Sequence, residues 1–201
     1  MTEIVPRFEF RIWGENLDHE LQLLERLAPA SPPRESSETY LISSATDLCN
    51  AKIRSDLMDI KVLSRAERGL ELWEPVLKAE FPLDGTTIAT KIYPRLELER
   101  SKIESGLFNQ AAFLDQIARD SRIKIVPVSK SRSRFQIGSC TAEFASIRVN
   151  GRPVDTVAVE SPDPDALLLI LVRLGISNSP NQSYIREIKR IIGASAKSTV
   201  R

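Results

Sequence analysis

The chain has 201 residues, 42% hydrophobic and 27% charged, with a net charge of +1, the profile of a folded globular protein rather than a disordered one. So even a balance excludes a global attraction to nucleic acid or acidic membranes, and any electrostatic function has to come from local clustering. No apolar run approaches the roughly 20 residues of a membrane-spanning helix, and "MTEIVPRFEF" lacks the basic start and apolar core of a signal peptide, so a cytoplasmic location without membrane contact is expected.

In "RFEFRIWG", Arg7, Glu9 and Arg11 alternate with Phe8, Phe10 and Ile12, so residues 4–13 read as a strand with one charged and one apolar face. A helix follows in "NLDHELQLLERLA", with Leu17, Leu21, Leu24 and Leu27 at helical spacing. Residues 29–38, "PASPPRESSE", read as a Pro/Ser-rich loop. Strand-like pieces come next in "TYLISS", "NAKIR", "MDIKVL", "LELWEPV" and "LKAEFPL", separated by Asp, Ser or Gly in the manner of an antiparallel meander. Residues 101–120 have a helical stripe of Leu107, Ala111, Leu114 and Ala118, interrupted by Gly106. "RIKIVPV" and "SKSRSRFQIG" read as further strands, and Asn150-Gly151 marks a tight hairpin. Ser161 and Pro162 suit the N-cap and first position of a helix that stops near Gly175. A last helix over about 182–192 precedes a frayed tail, giving one α+β domain over 1–193 and a flexible segment over 194–201.

The candidate chemistry lies in the charged faces. Lys52 and Arg54 share a face with Asn50; Asp59 and Lys61 share another, as do Lys78 and Glu80; Lys130, Arg132 and Arg134 form a row, and Glu143 and Glu160 head the faces of the Asn-Gly hairpin. One reading is a half-exposed sheet with a solvated outer face and cross-strand ion pairs. The other is a barrel with its charges inside and its apolar faces outside under helices. That arrangement calls for a polyanionic ligand, water or a metal, because buried unpaired charge is costly. Cys49 and Cys140 form no metal spacing and read as ordinary thiols of a reducing compartment. With His19 as the single histidine, and that in a helix, neither a His-based zinc site nor a Ser-His-Asp triad is expected. Trp13, Trp73 and Cys140 read as packing residues, and "IKR" near Ile188 as a solvated helix face. Nucleic-acid binding is not expected, because the aromatics do not interleave with the basic residues.

The order of these pieces over residues 4–190 resembles the CYTH, or triphosphate tunnel metalloenzyme, family. That family includes class IV adenylate cyclases, thiamine triphosphatases, inorganic triphosphatases and fungal-type RNA triphosphatases. "RFEFR" is similar to its N-terminal E-x-E-x-K strand, with Arg7, Glu9 and Arg11 in place. "AKIRSDLMDIK" resembles its basic strand pair, "LKAEFPL" its R-x-E-x-E strand, "VSKSRSRF" its K-x-R strand and "VDTVAVES" its C-terminal E-x-E strand, followed by a terminal "SYIREI" segment. The resemblance implies a closed or nearly closed antiparallel β-barrel of about eight strands, with a charged interior and flanking helices. It also implies a triphosphate, another phosphorylated small molecule or inorganic polyphosphate as ligand, with Mg²⁺ or Mn²⁺ as cofactor. Pairing of two copies through an outer sheet face fits related folds.

Carried over residue by residue, the resemblance gives Arg11, Lys52, Arg54, Lys61, Lys78, Lys130, Arg132 and Arg134 as ligand-binding. Glu9, Glu80 and Glu160, with Glu143 as a fourth, are its metal ligands. Arg7, Pro82 and Ala158 stand where the family has carboxylates, so each acidic pair is reduced to one and a more positive tunnel is expected. Two functions follow: a metal-dependent phosphohydrolase, or a binding module that kept the tunnel and lost the chemistry. In the first, Glu9 and Glu160 hold the metal, Lys52, Arg54, Lys130 and Arg132 clamp the phosphates, and Lys61 neutralises charge near the leaving group.

Overall fold

The structure, a computed structural model, describes residues 5–99, 103 and 105–193. The alternation in "RFEFRIWG" becomes strand β1 (Arg7–Gly14), followed by helix α1 (Asp18–Leu27). Four strands come next: β2 (Arg34–Ser43), β3 (Cys49–Arg54), β4 (Leu57–Glu67) and β5 (Leu70–Glu80). A two-residue strand β6 (Leu83–Asp84) leads into a short helix α2 (Gly85–Thr87), a π-helical turn Ile88–Ile92 and a 3₁₀ turn Tyr93–Leu96. Strand β7 (Leu107–Phe108) pairs with β6, and helix α3 (Gln110–Ile117) follows. The chain continues through β8 (Ile123–Ile137), β9 (Cys140–Val149), β10 (Arg152–Ser161), α4 (Pro164–Arg173) and α5 (Tyr184–Ile191).

Eight of these strands close into an antiparallel barrel in the order β1-β10-β9-β8-β2-β3-β4-β5. Three hairpins turn through two residues with positive φ, as type I′ turns require: Ser55-Asp56, Arg68-Gly69 and Asn150-Gly151. Only the last has the Asn-Gly pair that favours this turn; Ser55 and Asp56 adopt the left-handed region without glycine.

The described residues divide into two compact units, those within 5–37, 63–74 and 128–183 in the first and those within 38–62, 75–127 and 184–193 in the second, so that β2, β4, β5 and β8 each cross from one unit to the other. In the first unit, Phe8, Phe10 and Ile12 pack with Val157 and Val159 of β10, Leu24 of α1 and Leu167, Ile170 and Leu171 of α4. In the second, Leu41, Ala51, Ile53, Met58 and Ile60 pack with Ile88, Ile92, Leu96, Phe113 and Ile117. Each fully buried side chain of this size contributes about 1.5–3 kcal/mol. Helices thus cover the apolar strand faces, and the charged faces turn to the barrel interior, the reverse of a small apolar barrel.

Several elements differ from the sequence expectation. Half of the expected 29–38 loop is the start of β2, because Arg34–Glu38 pairs as strand without any apolar alternation. "LELWEPV" and the first four residues of "LKAEFPL" form one strand, with Leu83 starting β6, and "RIKIVPV" and "SKSRSRFQIG" merge into another; Pro75 and Pro127 lie within these strands. The expected 101–120 helix is α3 alone, with Phe113 and Ile117 buried and Leu107 72% exposed in β7; residues 101, 102 and 104 lie outside the described residues. Helix α4 starts two residues later than expected. Asp163 is its cap, accepting from the amides of Asp165 and Ala166, with Pro164 at the first position, while Ser161 ends β10. Lys189 is buried, donating to the Thr46 carbonyl and the Asp47 carboxylate, so that part of α5 is not a solvated face. The tail, 194–201, lies outside the described residues. No helix among them is long and apolar enough to cross a membrane.

Candidate functional site

In the first unit the inner face is set by register. Phe8, Phe10 and Ile12 point to the helices, so Glu9, Arg11 and Trp13 point the other way. Glu9 lies across from Glu160 of β10 on one side and Glu71 of β5 on the other. Three carboxylates therefore sit level on adjacent strands. Glu9 Oε1 accepts from Arg11 Nε at 2.8 Å, and Arg11 Nη1 donates to Thr156 Oγ1 at 3.2 Å, so Arg11, although buried, is held on both sides. Glu71 Oε2 accepts from Trp73 Nε1 at 3.1 Å. Beyond Glu9 the other edge of β1 is closed by a loop: the Arg11 amide donates to Asn181 Oδ1, its carbonyl accepts from the Gln182 amide, and Trp13 Nε1 donates to the Gln182 carbonyl at 2.8 Å. Polar groups that would otherwise be left unpaired are satisfied there.

The row on β8 faces the same way. Arg134 pairs with Glu143 in register, Arg132 with Ala145 and Lys130 with Ile147. Arg132 Nη1 and Arg134 Nε both reach Glu143 Oε2, at 3.3 and 3.5 Å. One carboxylate serves two guanidiniums, which leaves a local excess of positive charge.

The second unit repeats the motif. Glu38 of β2, with a side chain 0% exposed, is approached by Lys52 Nζ and Arg54 Nη1, each at 3.4 Å. Lys52 also lies 5.7 Å from the centroid of the Tyr40 ring, which stacks on Tyr184. Lys52 is in register with Asp59, and Asn50 with Lys61. Lys78 and Glu80 are exposed near the end of β5.

Of the residues expected from sequence, Glu9, Arg11, Lys130, Arg132, Arg134, Glu143 and Glu160 thus share the inner face of the first unit, and Lys52, Arg54 and Lys61 that of the second. Glu38 and Glu71 were missed, and Asp59, placed on a charged face, was given no role. Glu71 was readable, since Leu70 and Leu72 flank it in alternation; Glu38 was not, since nothing apolar marks its strand. With them, most cations of the inner faces have an acidic neighbour. Arg7, the added cation of the tunnel expected from sequence, is exposed. Trp73 is buried, as expected of a packing residue, and His19 is exposed on α1. Cys49 and Cys140 are free and buried, and burial pushes the Cys49 thiol up to about 12, against a smaller opposing effect of Arg95.

The carboxylates do not fit a resident divalent cation as they stand. Glu9 is committed to Arg11 and Glu71 to Trp73, and among the described residues no three His, Cys, Asp or Glu side chains gather closely enough to ligate one.

No protein-family model matches the sequence, and no curated protein is detectably similar to it. Solved structures do match. A protein from Pyrococcus horikoshii OT3 superposes with a TM-score of 0.51 at 16% identity, over 92% of this chain and 99% of its own. A putative adenylyl cyclase from Hippeastrum, described as revealing a dominant triphosphatase activity, gives 0.50 at 13% identity, over 94% and 97%. A conserved hypothetical protein from Pyrococcus furiosus gives 0.50 at 15% identity, over 90% and 97%. At these identities the likeness is one of fold.

Proposed function

We propose that this chain, whose barrel is the triphosphate tunnel fold expected from the CYTH resemblance, binds a triphosphate or another phosphorylated ligand. The observation that carries the reading is the row of Arg132, Arg134 and Lys130 on the inner face of β8, in which both guanidiniums lean on the single carboxylate of Glu143. Arginine forks match phosphate oxygens, and charge-assisted bonds to them are stronger than neutral ones. A phosphate group entering here completes a charge balance that Glu143 satisfies by half. In the second unit, Lys52 and Arg54 are held by the buried carboxylate of Glu38, and Lys61 is the cation placed for a phosphate. Arg11 is assigned the role of holding Glu9 in place. Lys78 and Glu80, exposed on β5, are assigned no contact with the ligand.

The donor set does not fit a bound metal, so this reading contains no hydrolytic step. Metal-dependent phosphohydrolysis is the second reading, favoured by the level placement of Glu9, Glu71 and Glu160; a Mg²⁺ or Mn²⁺ ion would have to draw Glu9 away from Arg11.

The test is a thermal-shift titration with tripolyphosphate, with and without Mg²⁺ and Mn²⁺, and with released phosphate assayed in the same wells. A ligand at about 100 times its dissociation constant adds roughly 2.7 kcal/mol to the native state. Stabilisation without release is the expected result; metal-dependent release would establish the second reading. Arg132→Ala should abolish stabilisation while leaving the ligand-free transition nearly unchanged. Unaltered affinity in that variant would overturn the assignment.

A further inference from the structure

Asp59 is the one inner-face carboxylate of the second unit that no cation satisfies among the described residues. It is 6% exposed, and its Oδ1 is buried and accepts no hydrogen bond. Its register partner, Lys52, leans instead on Glu38 and on the Tyr40 ring. Asn50, on the neighbouring strand and the same face, also carries a buried Oδ1 without a donor. A buried carboxylate oxygen and a buried amide oxygen left unpaired are costly. Two such acceptors on one face, with Lys61 directly across from Asn50, describe a position that lacks a donor, beside a cation suited to an anion.

Resting on the phosphate-binding reading, we propose that this part of β3 and β4 is a subsite for an amino group of the ligand. Asp59 and Asn50 accept from an ammonium or exocyclic amino N–H, and Lys61 holds the adjoining phosphate. The ligand class is then a phosphorylated compound that carries an amine, rather than bare polyphosphate. Asp59 supplies the charge-assisted half of the recognition. An ester without the amine leaves both acceptors buried and unpaired, and such mismatches discriminate more strongly than lost apolar contact.

The experiment compares 2-aminoethyl triphosphate with ethyl triphosphate by calorimetry, with tripolyphosphate as reference. The intact protein should bind the amine about tenfold or more tightly than the ethyl ester. Asp59→Asn, which keeps the shape, should reduce that preference to within about twofold without weakening the ethyl ester. Equal affinity of the intact protein for the two esters, with tripolyphosphate still bound, would overturn the subsite and leave the phosphate reading standing. Persistence of the preference in Asp59→Asn would likewise overturn it. Failure of all three anions to bind would overturn both readings together.

Discussion

In the first unit Arg132 and Arg134 share Glu143; in the second, Lys52 and Arg54 share Glu38. The chemistry is the same, two cations on one strand and one carboxylate on the next, but the depth is not. Glu143 is 14% exposed and Arg134 beside it is largely open to water, whereas Glu38 is sealed off. Depth decides what such a triad does. A carboxylate removed from water is costly to leave unbalanced, so its cations are tied into the fold. One that touches water is a replaceable counterion, and its arginines can turn to another anion at small cost. The first triad is therefore built for exchange and the second for holding the barrel wall.

The largest test of that contrast is Glu38→Gln. It should destabilise the protein by about 3–5 kcal/mol, since it leaves two cations without their buried partner, as urea unfolding would measure. Glu143→Gln should cost at most about 1 kcal/mol, and should raise tripolyphosphate affinity severalfold at low salt, an advantage that shrinks at about 1 M salt. Equal destabilisation by the two substitutions would dissolve the distinction.

A smaller effect concerns Asp120 in the second unit. A hydrogen bond from Arg122, opposed by burial, holds its carboxyl below the usual range. A depressed carboxyl stabilises above its unfolded value near 3.9 and loses that contribution as pH falls through the lower folded value. Asp120→Asn should therefore cost under about 1 kcal/mol at pH 7, and progressively less as pH is lowered below about 3.9, read from unfolding across that range.

The smallest is kinetic. With its thiol pushed up to about 12, Cys49 is about one part in 10⁴ thiolate at pH 8, so a thiol reagent should reach it only through local opening. Rapid labelling of the native protein at Cys49 would show the second core to be looser than its packing suggests.

Much of the fold was legible because strand alternation is a local signal. "RFEFRIWG" and the Asn150-Gly151 hairpin carry it in neighbouring residues. Glu38 shows where that signal ends: "RESSE" has no apolar face to display, and it becomes strand only because neighbouring strands offer their hydrogen bonds. The pieces ending at Val76 and Val128 mislead in the opposite direction, reading as separate strands where the barrel runs through.

By itself the sequence determined that charged and apolar residues would lie on opposite faces of most strands, and which basic residues would share a face, because side chains alternate with period two whatever the strand packs against. It could not say which face would be inside: that waited on the helices, which bury the apolar faces and turn the charged ones inward. Only the tertiary structure decided how each charge is balanced. Pairing Glu38 with Lys52 and Arg54, Glu143 with Arg132 and Arg134, and Asp59 with no cation among the described residues depends on register between strands distant in sequence, and on how far water reaches each carboxylate.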